Sequence, residues 1–179
     1  MEIPIIVAVL GAASAVVAAV VSARAQHNVR QLGERFEQHR QVTAFLTEQL
    51  SKLYLPVSMH LRATRALAST HYEADEATKE DIEHALRHHN NAIVECLMTW
   101  SMYLDPNAAE EVAIGLLEHL LQWESVYNLK YKYGELSGPV WDGIRHFGYR
   151  RFPDEAADHF HEKAAEIREE LHERLRRGV

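Results

Sequence analysis

The chain of 179 residues has a single cysteine, five prolines and no stretch in which apolar and polar residues alternate. One thiol, Cys96, excludes an intrachain disulfide and a cysteine zinc cluster, which fits a reducing compartment. Without alternation there is no half-buried strand to expect, so the fold class is all-α. Also missing are a phosphate-binding Walker loop, a dinucleotide glycine fingerprint, a nucleophile elbow and an HExxH pair. The chain therefore reads as a non-enzyme, and no motif implies a cofactor. Nor is there a basic excess: 19 Lys and Arg face 26 acids for a net charge of −7. That argues against indiscriminate nucleic-acid binding and leaves room only for a local basic pocket.

Two absences fall together at the N-terminus. No Lys or Arg precedes Arg24, and no proline interrupts the chain between Ile5 and Leu55. Ile3 to Ala23 carries no formal charge, and as a helix it would be about 30 Å long, the thickness of a bilayer core. Residues 1–23 are expected to form one transmembrane helix. A secretory signal is a poorer reading, because Glu2 stands where a basic n-region belongs and Ala23-Arg24-Ala25 is a loose cleavage site. Arg24, Arg30, Arg35 and Arg40 follow the span, which places the rest of the chain on the cytosolic side of an inner membrane. Gly11, Ala15 and Ala19 recur every four residues, spacing that lets helix backbones approach closely in lipid and suits self-association. Ser14 and Ser22 lie on a neighbouring stripe and would line a pore if several spans assemble. A plain alanine-rich anchor is the other reading.

From Val29 the apolar steps become a heptad seam: Val29, Leu32, Phe36, His39, Thr43, Leu46, Leu50 and Leu53. The expectation is a stalk helix over 24–55, with His39 and Thr43 fixing the register of an oligomer, or else a face that packs within its own bundle. Leu53-Tyr54-Leu55-Pro56 should break or kink the helix, since proline lacks the amide donor. Residues 56–179 then read as a cytosolic α-helical bundle. Its helices carry the stripes Ile82-Leu86-His89-Ile93-Cys96-Trp100-Tyr103, Val112-Leu116-Leu120-Trp123-Tyr127 and Ala157-Phe160-Ala164-Ile167-Leu171. Thr78 with Asp81 resembles a capping box, Asp105-Pro106 separates two helices, and Gly134 marks a helix end.

Chemistry is sparse. Twelve histidines raise the question of metal: His84 and His88 lie one turn apart beside His89, and His159 and His161 flank Phe160. No partner at a fixed spacing completes either set, so no metal site is expected. The stretch Trp141 to Phe152 interleaves aromatic rings with Arg145, His146, Tyr149, Arg150 and Arg151. Guanidinium groups pair with phosphate oxygens and aromatic faces stack on bases, so this segment suits a nucleotide or a short single-stranded oligonucleotide. Lys130 and Lys132, beside Tyr131 and Tyr133, would widen the patch, as would Arg62 and Arg65. The plainer reading is an aromatic plug whose arginines pair with the acidic last helix.

The span Ile3 to Ala23, with Leu53-Tyr54-Leu55-Pro56 at the head of the bundle, resembles the single-pass membrane effectors of bacterial anti-phage defence, of the Hailong type. That likeness implies a homo-oligomeric ion channel or membrane disruptor. It also implies regulation by a nucleotide-derived ligand in the cytosolic domain and a nucleotidyltransferase partner. A membrane-anchored scaffold or partner-binding protein without a pore is the alternative.

Overall fold

The computed structural model describes residues 24, 26–27, 29–31, 33–105, 109–146 and 152–177. Every regular element among them is helical, which bears out the all-α class and the bundle. The expected span, with Gly11, Ser14, Ala15, Ala19 and Ser22, lies outside the described residues. Among the described residues no helix is long and apolar enough to cross a membrane.

The first helix, α1 (33–49), does not stop at Pro56. It runs through a single π turn, Leu50–Tyr54, into α2, Leu55–His71. Proline cannot donate and its ring crowds the preceding turn. Here the widened turn takes up the conflict: the Leu55 N–H reaches back five residues to the Leu50 carbonyl, and Pro56 sits in the first turn of α2. The wide turn also presents two consecutive residues inward, so Leu53 and Tyr54 are both fully buried. Thus the expected boundary between stalk and bundle at 55/56 falls inside one continuous helix.

The heptad seam is buried along only part of its length. Leu46, Leu53 and, partly, Leu50 pack into the chain's own core, whereas Val29 and Phe36 face solvent. His39 meets the Arg174 guanidinium at 3.3 Å, and the Thr43 hydroxyl donates to the His39 carbonyl. Both polar members are therefore engaged within their own chain.

Among the described residues four more helices follow: α3 (Glu76–Thr99), α4 (Ala109–Tyr131), α5 (Val140–His146) and α6 (Asp154–Arg176), with a short 3₁₀ turn at Ser101–Tyr103. The N-cap of α3 is Asp75, whose carboxylate accepts from the Thr78 N–H at 2.8 Å, three residues before the Thr78 cap expected from sequence. Extended backbone at Asp75 makes it the cap, while Asp81 is an ordinary exposed helical residue. Gly134 ends α4 as expected, at φ +67°, a conformation side chains disfavour.

Two apolar cores result. The larger gathers Tyr54, Leu61, Ile93, Leu97, Leu116 and Leu120 around Phe160 and Ile167 of α6. The smaller joins Ile82 and Leu86 to Trp123, Val126, Tyr127, Val140 and Ile144. Each fully buried Leu, Ile or Phe contributes about 1.5–3 kcal/mol. α5 comes close enough to α4 that a Cβ on Gly143 would stand 2.5 Å from Val126 Cγ1. A buried carboxylate closes this second core. Glu83 accepts from Lys130 Nζ, Tyr131 Oη and the Val140 N–H, each at 2.8 Å, and lies 3.3 Å from His71 Nε2. It ties the start of α5 to α2, α3 and α4.

Candidate functional site

Between the two cores opens a cleft of about 620 Å³. Thr64, Arg65 and Tyr72 line it from α2 and its end, Leu86 and Asn90 from α3, and His119 and Trp123 from α4. Trp141, Ile144 and Arg145 come from α5, and Phe152 and Asp154 from the start of α6. That volume is the size of an ordinary small-molecule site.

Local sequence explains each wall. Glu83 fixes the Val140 amide and so the first turn of α5. Trp141 is thereby held against the His71 ring, centroids 4.6 Å apart, and edge-on to Trp123 at 6.3 Å. Four residues on, Arg145 shares the Trp141 face of the helix. Arg145 is exposed and makes no hydrogen bond or ion pair with the described residues. Opposite, Arg65 is already committed: its Nη1 donates to Asp158 at 3.1 Å and its Nη2 to the carbonyl and carboxylate of Asp154. The Phe152 ring stands edge-on to buried His119 at 5.4 Å. Flat aromatic surface, a cation uncommitted among the described residues and an interior with polar groups make a chemistry suited to a planar ring bearing an anionic group.

Of the residues anticipated as ligand contacts, Trp141 and Arg145 are brought together here. Tyr149, Arg150 and Arg151 lie outside the described residues, as does the side chain of His146. Lys130 does not join them, because its ammonium is taken by Glu83 and rests 4.5 Å from the Tyr131 ring centroid. Burial and the Glu83 carboxylate together push the Tyr131 phenol far above its ordinary range. Lys132 is exposed and lies over Tyr133, away from the cleft. Arg62 turns to His161, so of the two arginines of α2 only Arg65 faces the cleft.

Several histidines are likewise occupied. His84 Nδ1 bonds the Tyr127 hydroxyl, and His60 and His89 meet Nδ1 to Nδ1 at 2.9 Å. No group of three His, Cys, Asp or Glu among the described residues is placed to hold a metal ion. His161 Nδ1 meets buried Ser58, a pairing that invites comparison with a hydrolase dyad. The tautomer argues otherwise. Arg62 Nε donates to His161 Nε2, so the ring proton sits on Nδ1 and is given to the serine oxygen. Ser58 is therefore an acceptor with no base to activate it. Burial, with Arg62 and Arg65 nearby, holds His161 below the ordinary imidazole range. Cys96 is half-buried, and burial pushes its thiol up, away from reactivity.

Sequence reasoning missed Asn90, Thr64, His119, Trp123's place in the cleft and Tyr72, while Phe152 closes the stretch it did single out. For Asn90 a signal existed: it stands four residues after Leu86 and three before Ile93, and it is 4% exposed. The expected stripe put His89 there instead, one position out of phase. Comparison of the chain with protein-family models, with curated proteins and with solved structures finds no match.

Proposed function

We propose that this protein is a self-associating membrane effector, an ion channel or disruptor of the inner membrane. In this reading its helical bundle binds a nucleotide-class ligand in the cleft between α2, α3, α4 and α5. The observation that carries it is the pairing of two tryptophan walls with the uncommitted Arg145 at one opening. The apolar Ile3 to Ala23 segment supports the membrane placement, and the likeness to Hailong-type effectors supports the role in anti-phage defence beside a nucleotidyltransferase. The exposed face of α1 and the helical turn before it support self-association: Val29 and Phe36 are one heptad apart, and a groove of about 510 Å³ runs past Phe36, Arg40, Thr43 and Thr47. The same face supports the alternative, a membrane-anchored scaffold without a pore, if its occupant is a different protein.

Two of the three tryptophans line the cleft, so ligand entry should change intrinsic fluorescence. Titration of the detergent-extracted chain with mononucleotides and short oligonucleotides is expected to quench it, and Arg145→Glu to abolish the effect without lowering the melting temperature. In cells, the intact chain is expected to depolarise the membrane, and a chain starting at Gln26 to leave it polarised. Unchanged fluorescence with every probe would remove the ligand-binding reading. Equal depolarisation by both chains would remove the channel.

A further inference from the structure

We infer that Asn90 and Thr64 are the specificity-determining residues of the cleft and read the hydrogen-bonding edge of a nucleobase, an assignment that rests on the ligand-binding reading above. Four buried side-chain atoms among the described residues have no hydrogen-bond partner. Two of them, Thr64 Oγ1 and Asn90 Oδ1, belong to residues lining this one cleft, and both residues are more than nine-tenths buried. A protein keeps few such atoms, because each forfeits its hydration without recovering a bond. Their positions sharpen the point. Thr64 stands between Leu61 and Ala68 on α2, and Asn90 between Leu86 and Ile93 on α3, each with apolar residues as its neighbours one turn before and after. An apolar residue would fit either place, and the fold gains nothing visible from the polar one.

A bound ring gives them a use. Whichever way the Asn90 amide is turned, it offers an acceptor beside a donor, and the Thr64 hydroxyl can do either. Every nucleobase has an edge that sets a donor next to an acceptor, and asparagine matches such an edge with two parallel bonds. Trp141 and Trp123 supply stacking surface that is indifferent to which base enters. Selection therefore belongs to the two polar groups. At the rim, Arg145 is free of described partners whereas Arg65 is shared between Asp154 and Asp158. That arrangement suits a ligand bearing a single phosphate near its base.

The test compares the four nucleoside 5′-monophosphates with 1-naphthyl phosphate, which has the flat ring and the anion but no hydrogen-bonding edge. The detergent-extracted full chain is expected to bind at least one nucleotide about tenfold or more tighter than the naphthyl compound. Asn90→Leu should weaken that nucleotide about 10- to 100-fold and leave naphthyl phosphate unchanged, since an unmet base edge costs about that much. Thr64→Val should act in the same direction, less strongly. Both ligand-free variants should melt no lower than the parent, because each removes an unsatisfied group. Equal affinity of the parent for all five probes would overturn the assignment while leaving the cleft an aromatic-anion site. Equal weakening of nucleotide and naphthyl phosphate by Asn90→Leu would show only a wall residue and would overturn it too. If no probe binds, the ligand-binding reading falls and takes this assignment with it.

Discussion

Glu83→Ala removes the one acceptor shared by four groups that come from α2, α4 and the start of α5. Two of its partners bring charge-assisted or buried bonds that cannot be replaced locally: the Lys130 ammonium at 2.8 Å and the Val140 amide at 2.8 Å. A neutral hydrogen bond is worth about 1 kcal/mol net and a charged one about 1.5–3, while breaking a buried ion pair from one side costs about 3–5 kcal/mol. Lys130 keeps some exposure and can turn towards water, so the lower half of that range applies. The expected loss for Glu83→Ala is about 3–4 kcal/mol. Glu83→Gln keeps one carbonyl oxygen but sets an amide donor against Lys130 and Tyr131, and should lose about 2 kcal/mol. Urea unfolding followed by circular dichroism, at constant slope, measures both. Because Val140 precedes Trp141, each variant should also loosen the tryptophan wall and weaken ligand quenching in the same order. A loss under about 1 kcal/mol for the alanine variant would refute the view of Glu83 as the tie between α5 and the bundle.

Stability should also depend on pH through the His60 and His89 pair, both held below the ordinary imidazole range, chiefly by burial and then by neighbouring histidine charge. The native state then binds fewer protons than the unfolded chain. Stability should be level above about pH 6.5 and fall as pH drops below it, with His161 adding a loss of the same sign. Urea midpoints between pH 5 and 8 check this, and flattening of the curve in a His60→Gln, His89→Gln variant assigns it. A midpoint that rises on acidification would contradict the reasoning. Gly143→Ala drives a methyl into Val126 and should cost about 1–3 kcal/mol, partly recovered by adding Val126→Ala. A neutral Gly143→Ala in the same unfolding assay would show that α5 can retreat from α4.

Periodicity carried the helices, because a stripe such as Val112-Leu116-Leu120-Trp123-Tyr127 has one physical explanation and the fold uses it. Gly134 was legible for a similar reason: a glycine at the end of a stripe meets a backbone requirement that is local. Trp141 and Arg145 could be singled out because basic and aromatic residues interleave in their stretch, although the short helix Val140–His146 that sets them on one face reads as irregular from sequence alone. The α3 and α4 walls could not. Thr64, Asn90, His119 and Trp123 become neighbours only when the helices pack, and no spacing within the chain encodes that. The engagement of Lys130 was hidden for the same cause, its partner Glu83 being 47 residues away. Pro56 shows a different limit. Proline's conflict with the helix was readable, but whether the backbone breaks or widens depends on the burial of Leu53 and Tyr54 beside it.

The π turn at Leu50–Tyr54 also sets a direction. Viewed along the axis, one surplus residue in a turn rotates everything beyond it by about 100°. The compass bearing of Val29 and Phe36 relative to the cleft is therefore counted in whole residues: it can step but not drift. Its present setting is held by Leu46 and Gln49, which are buried on the far side of the turn, the latter through a 2.8 Å bond to the Tyr103 carbonyl. Taking the surplus residue back into α geometry would swing both out of the core and turn the outward edge of α1 toward a new neighbour. In an assembly of several copies, that one residue indexes which surfaces meet.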